Sequence, residues 1–172
     1  MRKTLLVCAL ALALGACDRS AAPESGAAST PAATFSQADI AAETERLNQW
    51  FEKKYEEQLQ FSPIQLTFQG RKDRYGEFDD MSEKAALDQV AWKKASVEEM
   101  EKTFDYAKLS DEAKLSYDLW KLQYENARDG VPFMIDGYAF DQMNGAQSFL
   151  PTLLINFHKV DEESDYTAYI SR

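Results

Sequence analysis

Carboxylates are the most numerous potential reagents in this sequence. Glu98, Glu99 and Glu101 stand as close along the chain as the paired carboxylates of acid/base catalysis, and Asp79 and Asp80, with Glu77 nearby, offer oxygen ligands to a hard cation. Their settings argue for plainer roles. The glutamates fall on the polar side of an amphipathic helical stretch, where a solvated face is the expectation. The aspartates lack the turn glycine and the terminal glutamate of a calcium loop. His158, the sole histidine, follows the apolar run Leu153 to Phe157 with no Ser, Cys or carboxylate at a telling spacing, so a hydrogen-bonded structural role is expected. Ser148, preceded by Gly145, forms no G-x-S-x-G elbow. The residues assign no catalytic group and no metal ligand.

The segment Asp141 to Gln147 is the most unusual, because the amides of Gln142, Asn144 and Gln147 crowd a glycine turn between apolar stretches. Buried amides need partners, so packing the loop itself is one reading. Lining a peptide-binding cleft is the other, since amides pair with a substrate backbone. The aromatic side chains, 12% of the sequence, fall mostly on helical stripes, where core packing is their expected role.

Cys17 has a different chemistry. Arg2 and Lys3, the apolar run Leu5 to Leu14 and the small residues Gly15 and Ala16 form a secretory signal over residues 1–16. The apolar run is too short to span a bilayer as a helix. Leu14-Gly15-Ala16-Cys17 resembles a bacterial lipobox, which makes Cys17 the acylated first residue of the mature chain and a lipid anchor to the membrane. Asp18 resembles a signal that retains some lipoproteins in the inner membrane; the rule varies among bacteria, and inner and outer membrane both stay open. Residues 17–34, rich in Ala, Ser and Pro, read as the lipidated cysteine and a flexible tether with a reach of roughly 20 to 25 Å.

Acidic side chains outnumber basic ones 29 to 19, a net charge of −10. That balance argues against nucleic acid and against electrostatic binding to anionic lipid. With Cys8 in the signal, Cys17 acylated and one histidine, the folded part has neither a disulfide framework nor a Cys/His zinc site of its own.

These groups are positioned by helices, and the fold class is all-α. Ser36 with Asp39 signals a capping box, followed by Ile40, Leu47, Trp50, Phe51, Tyr55 and Leu59 at helical spacing to about residue 60. Pro63 opens a short helix closed by Gly70, and a polar loop follows. Ser82 starts a helix to about Phe104, expected to pack on the first. Ser110 caps another to Asp129, ended by Gly130 and Pro132. This last helix carries two apolar stripes, Leu115, Leu119 and Leu122 on one, and Ala113, Tyr117, Trp120, Tyr124 and Ala127 on the other; so wide an arc implies cover on more than one side. Residues 131–140 read as a short extended segment, Pro151 as the restart of a helix, and Asp161 to Glu163 as the opening of one that the chain scarcely completes. The helical domain, residues 35–172, is expected to be an antiparallel layer truncated at its C-terminal end.

Three stretches, SPIQLTFQGRKDRYGEFDDMSE at 62–83, FDYAKLSDEAKLSYDLWKLQYENA at 104–127 and FDQMNGAQSFLPTLLINFHKVD at 140–161, together resemble the N-terminal part of the bacterial family labelled domain of unknown function 885. Its members are often envelope lipoproteins, largely helical, longer than this chain and similar to zinc metallopeptidases, with a His-Glu-x-x-His helix in the C-terminal half. The resemblance implies a lipid-anchored, periplasm-facing protein of a Gram-negative envelope. It also implies zinc and a peptide substrate for a full-length parent, with residues 35–172 as scaffold beside the cleft. That motif is absent from this chain, which holds no cofactor site of its own. The rival expectation is a complete, non-catalytic acidic helical lipoprotein that binds a partner protein in the envelope.

Overall fold

Four serines start four of the helices. In the computed structural model, which describes residues 35–172, the hydroxyls of Ser36, Ser62, Ser82 and Ser110 each accept a hydrogen bond from a backbone N–H three residues on. They begin α1 (Gln37–Leu59), α2 (Pro63–Phe68), α3 (Glu83–Thr103) and α4 (Asp111–Gly130). Two shorter helices follow, α5 (Ala146–Thr152) and α6 (Glu163–Ser171), the latter opened by a capping box between Glu162 and Asp165. No strand occurs among the described residues, and the fold is all-α. The expected signal over residues 1–16, the expected lipidation of Cys17 and the expected tether all fall outside the described residues.

The main core is an aromatic wedge where α1, α3 and α4 meet. Leu47 and Trp50 from α1, Val97 and Met100 from α3, and Tyr117 and Trp120 from α4 are buried together with Phe104, Leu109 and Ala113. The Trp50 and Trp120 rings meet edge-on at 5.6 Å between centroids, an arrangement favoured by the ring quadrupoles. Each indole N–H has a partner: Trp50 donates to Glu99 at 2.7 Å and Trp120 to the Ser96 hydroxyl at 3.0 Å. Buried Glu43 accepts from the Asp105 N–H at 3.0 Å and the Thr44 hydroxyl from the Ser110 N–H at 3.0 Å, which fixes the α3–α4 connection against α1.

α3 packs on α1 as expected, through Val97 and Met100, and more extensively along α4, because the short connection folds the two back on each other. Several other local expectations need correcting. Gly130 is the last residue of α4 with φ −76° rather than a left-handed cap, so the chain runs on through a 3₁₀ turn, Val131–Phe133. No extended segment follows; among the described residues no strand pairs with 131–140, which turn instead. Pro151 lies inside α5, which already starts at Ala146. The helix then widens into a π-helical turn, Leu153–Phe157, closed by the His158 N–H on the Leu153 carbonyl at 3.0 Å. Leu115, Leu119 and Leu122 are exposed, so within the described residues α4 is covered along only one of its two stripes.

The glutamate trio is also less plain than a solvated face. Glu99 bridges Trp50 and Lys54, with its second oxygen 2.9 Å from the Lys54 ammonium, which holds its carboxyl below the usual range. Glu101 reaches Lys121 on α4 at 2.6 Å. Two of the three therefore tie helices together.

Candidate functional site

The amide loop is built on Asp141. Its Oδ1 accepts from the N–H groups of Asn144 at 2.5 Å and Met143 at 2.6 Å, and these donors hold its carboxyl below the usual range. The Ala146 N–H closes the turn on the Ala139 carbonyl at 2.9 Å. Gly145 is buried where a Cβ would run into the Asp141 backbone nitrogen, so only glycine fits. Of the three amides singled out above, Gln147 folds back on the Asp141 carbonyl. Gln142 and Asn144 are exposed, and their side-chain amides make no hydrogen bond with the described residues.

The loop leads into one wall of an apolar cleft of about 450 Å³. Ala146, Phe149 and Leu150 of α5 face Ile64 of α2 and the loop residues Phe78 and Met81. Two charged residues, Asp79 and Arg172, line it as well. Asp79 is committed to α2, accepting from the Ser62 hydroxyl at 2.6 Å and the Ile64 N–H at 2.9 Å. Neither it, nor Asp80, which accepts from the Ser82 N–H, nor Glu77, which pairs with Arg74, converges on a common point.

Beneath the cleft lies a polar knot that sequence reasoning missed. Arg172 donates to the Thr67 hydroxyl at 2.7 Å, the Glu77 carbonyl at 3.0 Å and Nδ1 of His158 at 3.1 Å. His158 is 5% exposed, stacks on Tyr75 at 4.0 Å and meets the Tyr169 edge at 5.3 Å. Asp165 accepts from Lys72 at 2.6 Å and from the N–H groups of Asp161 at 2.9 Å and Glu162 at 3.1 Å. Burial pulls the Arg172 guanidinium below its ordinary value, and the Lys72 ammonium holds the Asp165 carboxyl below its own. The Lys72–Asp165, Arg172–Glu77 and Arg172–Thr67 pairs join partners 93 to 105 positions apart, which leaves no local signal.

Zinc does not fit these residues. Both ring nitrogens of His158 are engaged, and among the described residues no three His, Cys, Asp or Glu side chains are grouped to hold a metal.

Lys93 marks a second cleft, of about 390 Å³, between the end of α1, α3 and α4. Lys93 is 6% exposed, donates to Gln123 Oε1 at 2.8 Å and lies 3.0 Å from the centre of the Trp120 ring. Burial pushes its ammonium down to about 8. A sequence signal existed: Lys93 stands three residues after Val90 and four before Val97, inside the apolar stripe of α3.

Among the described residues no helix is long and apolar enough to cross a membrane. Residues 63–172 match a family described as a bacterial protein of unknown function (DUF885). No curated protein and no solved structure matches the chain.

Proposed function

Since the chain belongs to the DUF885 family, we propose that it is the anchored N-terminal part of an envelope lipoprotein whose full-length form is a zinc-dependent peptidase. The helical unit is the scaffold beside the substrate cleft, the metal comes from a segment outside this chain, and Cys17 carries the lipid. The observation that carries this reading is apolar surface left open in one region. Tyr138 is 90% exposed, Ile135 76% and Met143 74%, with Phe133 and Phe140 beside them in sequence. Scattered exposed apolar residues are ordinary, but a run of large ones is expected where another layer covers it. The amide loop, whose Gln142 and Asn144 side chains have no hydrogen-bond partner among the described residues, adjoins that run and the apolar cleft of α5.

Sequencing the coding region beyond the codon for Arg172 is the direct test. Continuation into a His-Glu-x-x-His helix, followed by zinc-dependent peptide cleavage by the full product, is the expected result; a stop codon there removes the peptidase reading. Labelling with a radioactive fatty acid tests the anchor, and loss of label and of membrane association in Cys17→Ser is expected.

The aromatic core of α1, α3 and α4 favours a second reading, a self-sufficient acidic lipoprotein that binds a partner protein in the envelope. It requires cooperative unfolding of residues 35–172 alone, whereas a scaffold layer stripped of its cover would aggregate.

A further inference from the structure

A buried ammonium with no carboxylate beside it is an uncommon way to use a lysine. Other buried or half-buried lysines here are neutralised: Lys54 by Glu57 and Glu99, each at 2.9 Å, and Lys121 by Glu101 at 2.6 Å. Lys93 forms no ion pair with the described residues; its partners are the neutral Gln123 amide and the face of Trp120. It is the sole charged residue among those that line its cleft. Phe61 and Trp92, edge to face at 5.6 Å, belong to the apolar part of that lining, and the amides of Gln58 and Gln89 to its polar part. A desolvated positive charge is costly unless an anion compensates it, and inside a low-dielectric cleft the attraction between the two is strengthened.

We propose that the cleft between the end of α1, α3 and α4 binds a small monocarboxylate with an apolar or aromatic body, its carboxylate paired with the Lys93 ammonium. One cation suits one negative charge. A phosphate dianion would need a second cation or a nest of backbone donors, and neither lines the cleft. The aromatic wall takes the apolar body, and the volume suits a ligand the size of a phenyl-substituted short-chain acid. This inference is independent of the peptidase reading, since it uses residues of the helical core alone.

The test titrates the full chain with 3-phenylpropionate, and with 3-phenylpropionamide as the uncharged control. Tryptophan fluorescence reports occupancy, and the NMR resonance of the labelled Lys93 amine reports its titration midpoint. Saturable quenching by the acid and not by the amide is expected, with the Lys93 midpoint moving upward when the acid is bound, because a bound anion favours the charged amine. Lys93→Gln is expected to weaken the acid roughly ten- to hundredfold, the loss of a charge-assisted hydrogen bond. Ala127→Trp fills the cleft from α4 while leaving the Lys93 side chain in the protein and is expected to abolish binding, which keeps the test decisive if Lys93→Gln does not fold. Equal affinity for acid and amide, no saturable quenching at millimolar acid, an unmoved Lys93 midpoint, or binding that survives Ala127→Trp overturns the proposal.

Discussion

Arg172 donates a hydrogen bond from Nη1 to Nδ1 of His158 at 3.1 Å, and because a guanidinium can only donate, this contact sets the imidazole tautomer. Nδ1 carries the lone pair and Nε2 carries the hydrogen, which points at the Asp165 carbonyl 3.1 Å away. The lone histidine is thereby held between α6 and the loop after α2. His158→Ala removes the ring that stacks on Tyr75 and leaves Arg172 short of a partner, so a loss of roughly 2–4 kcal/mol is expected. Urea unfolding of the two proteins measures it; a loss under about 1 kcal/mol contradicts the role assigned to the ring.

Asp165 makes the same knot sensitive to acid. Its carboxyl is depressed below the ordinary value of 3.8, chiefly by the Lys72 ammonium and then by the Asp161 N–H. A depressed folded-state value means stabilisation that is complete above 3.8 and is lost as the pH falls through the lower, folded value. The urea midpoint of the wild type should therefore fall more steeply in that acid range than that of Asp165→Asn. Parallel curves would show that the contact is neutral.

Lys93 gives the opposite limb. Its value falls from 10.5 to about 8, so the unfolded chain binds more protons between those limits and stability rises with pH across them. The cost of the buried charge is present in full below about 8. Lys93→Met is expected to stabilise the protein at neutral pH by on the order of 2 kcal/mol, part of it offset by the lost contact with Trp120, and by less above pH 10. Denaturant midpoints at the two pH values decide this: an equal gain at both removes the charge from the explanation.

The Leu115, Leu119 and Leu122 stripe separates the two functional readings. All three are exposed, so replacing them with serine should leave the stability of the helical unit within about 0.5 kcal/mol and reduce self-association, as read by urea unfolding and light scattering. In a full-length protein that covers α4, the same changes should instead destabilise. An unchanged full-length protein would mean that the stripe faces water there too.

The start of each major helix was legible in the sequence, because a serine cap and its recipient N–H lie three residues apart and need no distant partner. So was the all-α class, since apolar residues recurring at helical spacing define one buried face whatever they pack against. The crowding of Gln142, Asn144 and Gln147 around Gly145 is likewise readable from residue order alone, and the lipobox-like run that ends at Cys17 is an expectation of the same kind, outside the described residues. The tertiary structure decided the rest. Residues 131–140 turn instead of extending, and among the described residues no strand is there to pair with them; Gly130 continues α4 into a 3₁₀ turn. Glu99 became a bridge between α1 and α3 because Trp50 and Lys54, more than forty positions earlier, happen to face it. Arg172, His158, Asp165 and Lys72 form one knot from segments about ninety positions apart. Lys93 owes its lowered pKa, about 8, to burial among the helices that surround it. Hydrogen bonds within a turn are set by local order, whereas burial and charge pairing depend on which distant surfaces exclude water together.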